Sequence, residues 1–159
     1  CFLYLSLFVF TDVVPVLRWN TTGQTLIGLS GIAGNASNQL NLPKDAIVDY
    51  PNILYIADTG NNRIQKYIIG DLNGMTVAGQ ANGTGGSSAS HLQSPSSVRI
   101  DSSGGIYVAD TNNNRIQYCA KNASLGLTVA GNGTSKSTKM ITILKNIYAF
   151  LNINLPIFV

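Results

Sequence analysis

Short runs of apolar and β-branched residues alternate with clusters of Gly, Asn, Asp and Ser through the middle of the chain. Such runs, bounded by turn-forming residues, predict short strands joined by tight turns. The first four predicted strands are Ala46–Asp49, Leu54–Ala57, Arg63–Ile69 and Met75–Ala78. The next four are Val98–Asp101, Ile106–Ala109, Arg115–Cys119 and Leu127–Ala130. The pattern therefore predicts an all-β fold.

The two sets of strands are copies of one repeat. The segment that begins at Leu54 reads LYIADTGNNRIQKY, and 52 residues later the segment from Ile106 reads IYVADTNNNRIQYC. The same spacing relates Pro43 to Pro95 and Gly79 to Gly131. Four strands in a repeat of this size are typical of a β-propeller blade. The sequence therefore predicts a partial β-propeller, an open arc of four-stranded blades.

The register also extends towards the N-terminus. We align Thr25–Gly28 with Thr76–Gly79 at a spacing of 51, in preference to an alignment that uses Ile32-Ala33-Gly34. Val13–Trp19 then becomes the third strand of a preceding, partial blade. The predicted organisation is an unassigned apolar segment (1–12), a partial blade with its inter-blade loop (13–42), a blade (43–79), a Gly/Ser-rich inter-blade loop (80–94), a second blade (95–131) and a degenerate or non-native apolar tail (132–159).

Two complete blades and part of a third do not close a ring, because propellers carry about four to eight blades. An open arc leaves apolar blade faces and strand edges uncovered. We therefore expect missing blades to be needed for closure. We also expect the isolated 159 residues to aggregate or to oligomerise.

The repeat resembles a known family. The segments from Tyr55 to Gln65 and from Tyr107 to Gln117 are similar to the signature of NHL repeats, which form blades of propellers that are commonly six-bladed. The resemblance implies a non-catalytic interaction module whose partner is a protein or a glycan. One alternative is an RNA-binding propeller of a ubiquitin-ligase-type protein. A second alternative is a fragment of a metal-dependent lyase or hydrolase propeller, a type that uses several histidines, whereas this chain has one.

The polar residues of the signature recur once in each blade, so we interpret them as scaffolding. We expect Asp58 and Asp110 to accept backbone N–H groups of the residues that follow them. We expect Arg63 and Arg115 to fold back onto the carboxylate of their own or a neighbouring blade. The asparagines tolerate the left-handed backbone that a tight turn needs, and they are Asn61, Asn62, Asn113 and Asn114.

No catalytic residue, cofactor or metal site is predicted. The single histidine, His91, falls in the Gly/Ser-rich loop and is expected to be exposed, and the chain has no Glu. Cys1 and Cys119 form no CxxC pair, and Cys119 is predicted to be a buried, inert thiol. The net charge of +3 and the pI of about 9.0 permit RNA binding, but the cations are not clustered.

The sequence bears on the compartment in two ways. Five Asn-x-Ser/Thr triplets fall in predicted loops, which favours a secreted or cell-surface parent protein. These candidate glycosylation sites are Asn20, Asn35, Asn82, Asn122 and Asn132. The apolar run Phe2–Phe10 is too short to cross a bilayer, and no basic residue precedes it as in a signal peptide.

Overall fold

The computed structural model describes residues 25–29 and 31–131, which contain two four-stranded antiparallel sheets. The first sheet has the strand order β1-β2-β3-β4, with bounds Asp45–Asp49, Ile53–Asp58, Arg63–Ile68 and Met75–Gly79. The second has the order β5-β6-β7-β8, with bounds Pro95–Ile100, Ile106–Asp110, Arg115–Cys119 and Leu127–Gly131. The predicted fold class, all-β with propeller-type blades, is confirmed.

The two sheets share their irregularities as well as their order. Each has a register shift at the same place, between Ile64 and Gln65 and between Ile116 and Gln117. Of the eight strands, β7 has its predicted bounds at both ends and the others differ by one residue at one or both ends, except β5, which differs most because it begins at Pro95 and not at Val98. A further register shift between Pro95 and Ser97 accommodates this start. Pro is tolerated at the first residue of a strand, so the extension costs no ladder hydrogen bond.

Positive φ angles recur at the repeat spacing, so the backbone repeats as closely as the sequence does. Gly28, Gly79 and Gly131 have φ of 86°, 80° and 83°. Leu42 and Ser94, which precede the two prolines, have φ of 48° and 50°. The structural repeat thus begins ahead of Pro43.

The segment aligned with β4 in the partial blade does not form a ladder. Residues 25–29 contribute only an isolated bridge between Leu29 and Ile32. A strand needs a hydrogen-bonded neighbour, and the segment predicted to provide it, Val13–Trp19, lies outside the described residues.

A continuous apolar core lies between the two sheets. It joins one face of the first sheet to one face of the second, and its fully buried members include Ala57, Ile64, Val98 and Val108. β-branched residues pack well on pleated faces, which explains their frequency in these strands. In the described part of the chain, no helix is long and apolar enough to cross a membrane.

Candidate interaction site

Each sheet contains a buried ion pair between the end of its second strand and the start of its third. Arg63 Nε donates to Asp58 Oδ2 at 2.8 Å, and Arg115 Nε donates to Asp110 Oδ2 at 2.7 Å. Both carboxylates are fully buried, and Arg63 is 1% exposed. The hairpin places the two side chains opposite each other because Asp58 pairs with Arg63 in the β2–β3 register. Each arginine therefore pairs within its own blade, and not with a neighbouring one.

The rest of each guanidinium binds the loop that precedes its own blade, and Arg63 Nη1 also donates to Ala81 O, in the loop that follows, at 2.7 Å. Arg63 donates to the carbonyl oxygens of Asn35 at 2.7 Å, Ala36 at 3.0 Å and Gln39 at 3.2 Å. Arg115 donates to the carbonyls 52 residues further on, those of Ser87, Ser88 and His91, at 2.7, 2.9 and 3.0 Å. The carboxylate and the carbonyl oxygens together satisfy the planar donors of each guanidinium, a geometry that the point charge of lysine cannot reproduce. We call each such set of contacts an arginine clamp.

The aspartates take a different backbone donor from the one predicted. Asp58 Oδ1 accepts the N–H of Asn41 at 2.7 Å, and Asp110 Oδ1 accepts that of Gln93 at 2.6 Å. Neither carboxylate caps the short 3-10 turn that follows it, Thr59–Asn61 or Thr111–Asn113. Each turn closes through its own backbone, which leaves the carboxylate to bind the preceding loop.

The two asparagines of each turn have separate roles. Only the second, Asn62 or Asn114, has left-handed backbone, with φ of 52° and 49°. The first belongs to the 3-10 turn, and its amide joins the Asp carboxylate to a loop carbonyl. Asn61 Nδ2 donates to Asp58 Oδ2 at 2.9 Å and to Gly34 O at 2.7 Å. Asn113 makes the same two bonds, to Asp110 Oδ2 and to Gly86 O.

Three side chains of the first blade bind groups between Ser94 and Arg99 that lead into the second blade, and these contacts were not predicted from the sequence. Asn62 Oδ1 accepts the N–H of Ser94 at 2.9 Å, and Thr59 Oγ1 donates to Pro95 O at 2.7 Å. Asp45 Oδ2 accepts a bond from Arg99 Nη1 at 2.6 Å. In the first two contacts one partner is a backbone group, the N–H of Ser94 or the carbonyl oxygen of Pro95. Every residue carries such groups, so they leave no signature in the sequence. The Asp45–Arg99 pair is not part of the repeat, since Ser97 occupies the position equivalent to Asp45.

His91 is half-buried, and not exposed as predicted. Its Nδ1 lies 2.7 Å from Ser88 Oγ and 3.0 Å from Ser90 Oγ. The ring comes close to the backbone at Gly86, where a Cβ would lie 3.2 Å from it. Within the described ranges no carboxylate binds this ring, and no group of three or more His, Cys, Asp or Glu side chains could hold a metal ion. The local contacts therefore orient the loop.

The thiol of Cys119 is free and buried. Burial raises the pKa of this thiol, and the nearby Asp110 carboxylate raises it further, while Arg115 lowers it. A raised pKa keeps the thiol protonated at neutral pH, and the protonated form is a poor nucleophile.

Three of the candidate glycosylation sites lie in the described residues, and all three are exposed. Asn35 Nδ2 donates to Asn82 O at 3.0 Å, so the nitrogen that would carry a glycan is already engaged. Asn82 uses its Oδ1 to accept the N–H of Thr84, which leaves its Nδ2 on the surface. Asn122 has left-handed backbone with φ of 65°. Asn20 and Asn132 lie outside the described residues.

The blades carry no net charge. The described residues include six cationic side chains and six aspartates, so their formal charges cancel. The net charge of +3 comes from residues outside the described ranges. The inter-blade segments 31–43 and 80–94 contain no Lys, Arg, Asp or Glu at all. Their exposed polar side chains are hydroxyls and amides, including those of Asn35, Ser37, Asn82, Thr84 and Ser87. Ile32 and Leu42 add exposed apolar side chains in the first segment.

The class of protein follows from this architecture. Consecutive four-stranded sheets, tied to their neighbours by repeated loop contacts, define a β-propeller interaction module. The family model of the NHL repeat matches residues 92–117, which run from the second inter-blade loop through β5 and β6 into β7. The chain therefore carries an NHL repeat, and the resemblance noted from the signature residues is confirmed. No curated protein matches the chain.

Proposed function

We propose that the chain is a non-catalytic scaffold of an NHL-repeat protein, and that it binds a protein or a glycan through its uncharged inter-blade loops. This proposal rests on the hydrogen-bond partners of the polar side chains in the repeat signature. The Asp, Asn and Arg side chains that resemble a catalytic constellation are bound to the loops of the same chain. What the loops offer to a partner is uncharged: amide and hydroxyl groups, together with the exposed apolar side chains of Ile32 and Leu42.

A glycan array tests this proposal, with the labelled 159-residue chain and two matched variants as probes. Ser87→Arg places a charge on the exposed second inter-blade loop, whereas Ser102→Arg places the same charge on the exposed β5–β6 turn. We expect Ser87→Arg alone to abolish binding. Equal binding by both variants would overturn the assignment to the loops, and the absence of any bound glycan would leave a protein partner.

RNA binding is the second candidate, and the charge distribution of the blades argues against it. Nucleic-acid affinity depends on cations that neutralise phosphates and falls steeply with salt. Retention on heparin should therefore depend on Lys136, Lys139 and Lys145, and Lys→Gln changes there should abolish it. The change of Lys44, a lysine of the first blade, to Gln should leave it unaltered. Retention that depends on this blade lysine would favour the RNA-binding function.

A secreted or cell-surface location is part of the same proposal, with Asn82 and Asn122 as its glycan carriers. The support is that both side chains are exposed and that neither uses its Nδ2 in a hydrogen bond to described residues. Expression through a eukaryotic secretory pathway should give a mass shift that glycosidase treatment removes. Thr84→Ala and Ser124→Ala should each remove one glycan. An unmodified secreted chain would contradict the proposal.

A further inference from the structure

One position differs between the two blades in a way that changes the space between them. Tyr67 in β3 and Cys119 in β7 are equivalent residues. Tyr67 is 1% exposed, and its hydroxyl donates to Ser37 O at 2.9 Å. Its ring fills the region beside Gly74, where an added Cβ would lie 2.5 Å from the ring. In the second blade a thiol replaces the whole phenol group.

The backbone around this position does not collapse to compensate for the smaller side chain. Gly74 N donates to Ser37 O at 2.8 Å in the first blade, and Gly126 N donates to Ala89 O at 2.8 Å in the second. The same frame therefore surrounds a large residue in one copy and a small one in the other. Small residues in an unchanged frame leave a cavity, because the surroundings relax only partly.

A cavity of about 320 Å³ lies between the two sheets, and Cys119 is one of the residues that line it. Cys119 and Ile106 form one wall, and Tyr55 and Val77 form the other. It lies at the end of the strands opposite the 3-10 turns, where residues 120–124 of the β7–β8 connection also line it. Its volume is within the range of small-molecule sites, roughly 300–1,000 Å³.

The charged groups of this cavity are both cationic, and Thr76, Asn122 and Ser124 add neutral polar groups. Lys66 and Lys121 line it, and no carboxylate does. Neither lysine belongs to a salt bridge within the described ranges, whereas Arg63, Arg99 and Arg115 each do. Lys66 Nζ lies 5.9 Å from the centre of the Tyr55 ring, which holds it over the cavity wall. Two ammonium groups beside apolar walls suit a ligand with an anionic head and an apolar body.

We propose that this inter-blade cavity binds a small organic anion, a carboxylate, sulfate or phosphate carried on an apolar group. Lys66 and Lys121 neutralise the anion, and the walls formed by Tyr55, Val77 and Ile106 cover the apolar group. The site is separate from the inter-blade loops and does not depend on the function proposed for them. Between the two described blades, the exchange of Tyr67 for Cys119 distinguishes this interface from the side of the first blade on which Tyr67 packs.

Titration calorimetry of the full 159-residue chain tests the ligand class. The probe is 4-phenylbutyrate, and the neutral control is 4-phenylbutan-1-ol, which has the same apolar body. We expect the carboxylate to bind at least about ten-fold more tightly than the alcohol, because only the carboxylate interacts with the two ammonium groups. Equal affinities, or no binding of the carboxylate at millimolar concentration, would overturn the proposal.

Variants locate the site. Cys119→Tyr restores the residue of the first blade, so we expect a melting temperature at or above that of the parent and at least about a ten-fold loss of affinity. Cys119→Ala keeps the cavity open and should bind like the parent. Lys66→Gln and Lys121→Gln should each weaken binding several-fold, whereas Lys44→Gln, outside the cavity, should not. Parent-like binding by Cys119→Tyr, or by both cavity lysine variants, would refute the site.

Discussion

The guanidinium of Arg63 donates hydrogen bonds both to the Asp58 carboxylate, at 2.8 Å, and to carbonyl groups of the loop before its own blade. Arg115 makes the equivalent bonds to Asp110 and to its own preceding loop. Sheet and loop are thus held by one side chain.

Arg63→Ala is expected to destabilise the chain by about 3–5 kcal/mol, because it leaves the buried Asp58 carboxylate without its partner. Arg63→Lys should recover only part of this loss, since an ammonium cannot reach the carboxylate and the carbonyl groups together. Denaturant unfolding followed by fluorescence measures both. Lys44→Ala is the matched control and should stay within about 0.5 kcal/mol of the parent. A loss below about 1 kcal/mol for Arg63→Ala would contradict the role of the clamp.

Gly79→Ala should be more damaging than Gly70→Ala, although both glycines have positive φ, 80° and 110°. At Gly70 an added Cβ meets nothing within 4 Å, so only backbone strain of about 1–2 kcal/mol is expected. At Gly79 an added Cβ would collide with the carbonyl oxygen of Asn62 at the β2–β3 turn. The difference between the melting temperatures of the two variants measures the cost of the collision beyond that of backbone strain. Equal melting temperatures would show that the β2–β3 turn moves away from the added Cβ without cost.

Two equivalent glutamines should respond in opposite ways to replacement by leucine. Gln65 Oε1 accepts a bond from Thr76 Oγ1 at 3.2 Å, whereas Gln117 Oε1 is buried without a hydrogen-bond partner among the described residues. Gln65→Leu should cost about 1 kcal/mol, and Gln117→Leu should be neutral or stabilising by a similar amount. Unfolding free energies of the two variants test this contrast. A larger loss for Gln117→Leu would show that its carbonyl has a partner in the folded chain.

Stability should decline in acid partly through Asp101. Burial alone would raise the pKa of this carboxyl group, but hydrogen bonds from Ser103, Gly105 and Tyr118 outweigh it and lower the pKa below 3.8. A folded-state pKa below the unfolded value stabilises the fold above pH 3.8, and the stabilisation is lost as the pH falls through the folded value.

Melting temperatures measured between about pH 2 and pH 6 should therefore fall less for Asp101→Asn than for the parent chain. Asp71→Asn, at an exposed residue without a side-chain hydrogen bond to described residues, is the matched control and should follow the parent. Parallel curves for Asp101→Asn and the parent would exclude a contribution from Asp101.

The strands could be predicted from the sequence because their pattern and the spacing of 52 residues are both local properties. β7 matches its prediction at both ends, whereas β5 starts at Pro95 instead of Val98, with a register shift that follows Pro95, and ends at Ile100 instead of Asp101. The Asp–Arg pairing within one blade followed from the hairpin, as one of two alternatives. The carbonyl groups that complete the arginine clamp could not be predicted, because every residue carries one and only the folded path of the loop selects Asn35 or Ser87.

The cavity shows a different limit of sequence reasoning. The exchange of Tyr67 for Cys119 is visible in the aligned repeats, yet an alignment gives no information about whether the neighbouring backbone closes over the smaller side chain. Two bonds of equal length, from Gly74 and from Gly126, show that it does not. The pairing of Asp45 with Arg99 is equally invisible to a repeat alignment, because neither residue recurs at its equivalent position.

The arginine clamp also decides where such a chain can be cut and rejoined. Arg63 donates to the carbonyl groups of Asn35, Ala36 and Gln39. A unit that starts at Pro43 would therefore lack these three hydrogen-bond acceptors. A junction between Thr84 and Gly85 keeps each guanidinium with the carbonyl groups described for it. Blades that are exchanged or added at that junction should keep all the contacts of their arginine clamp. The transferable unit is therefore the loop together with the sheet that follows it.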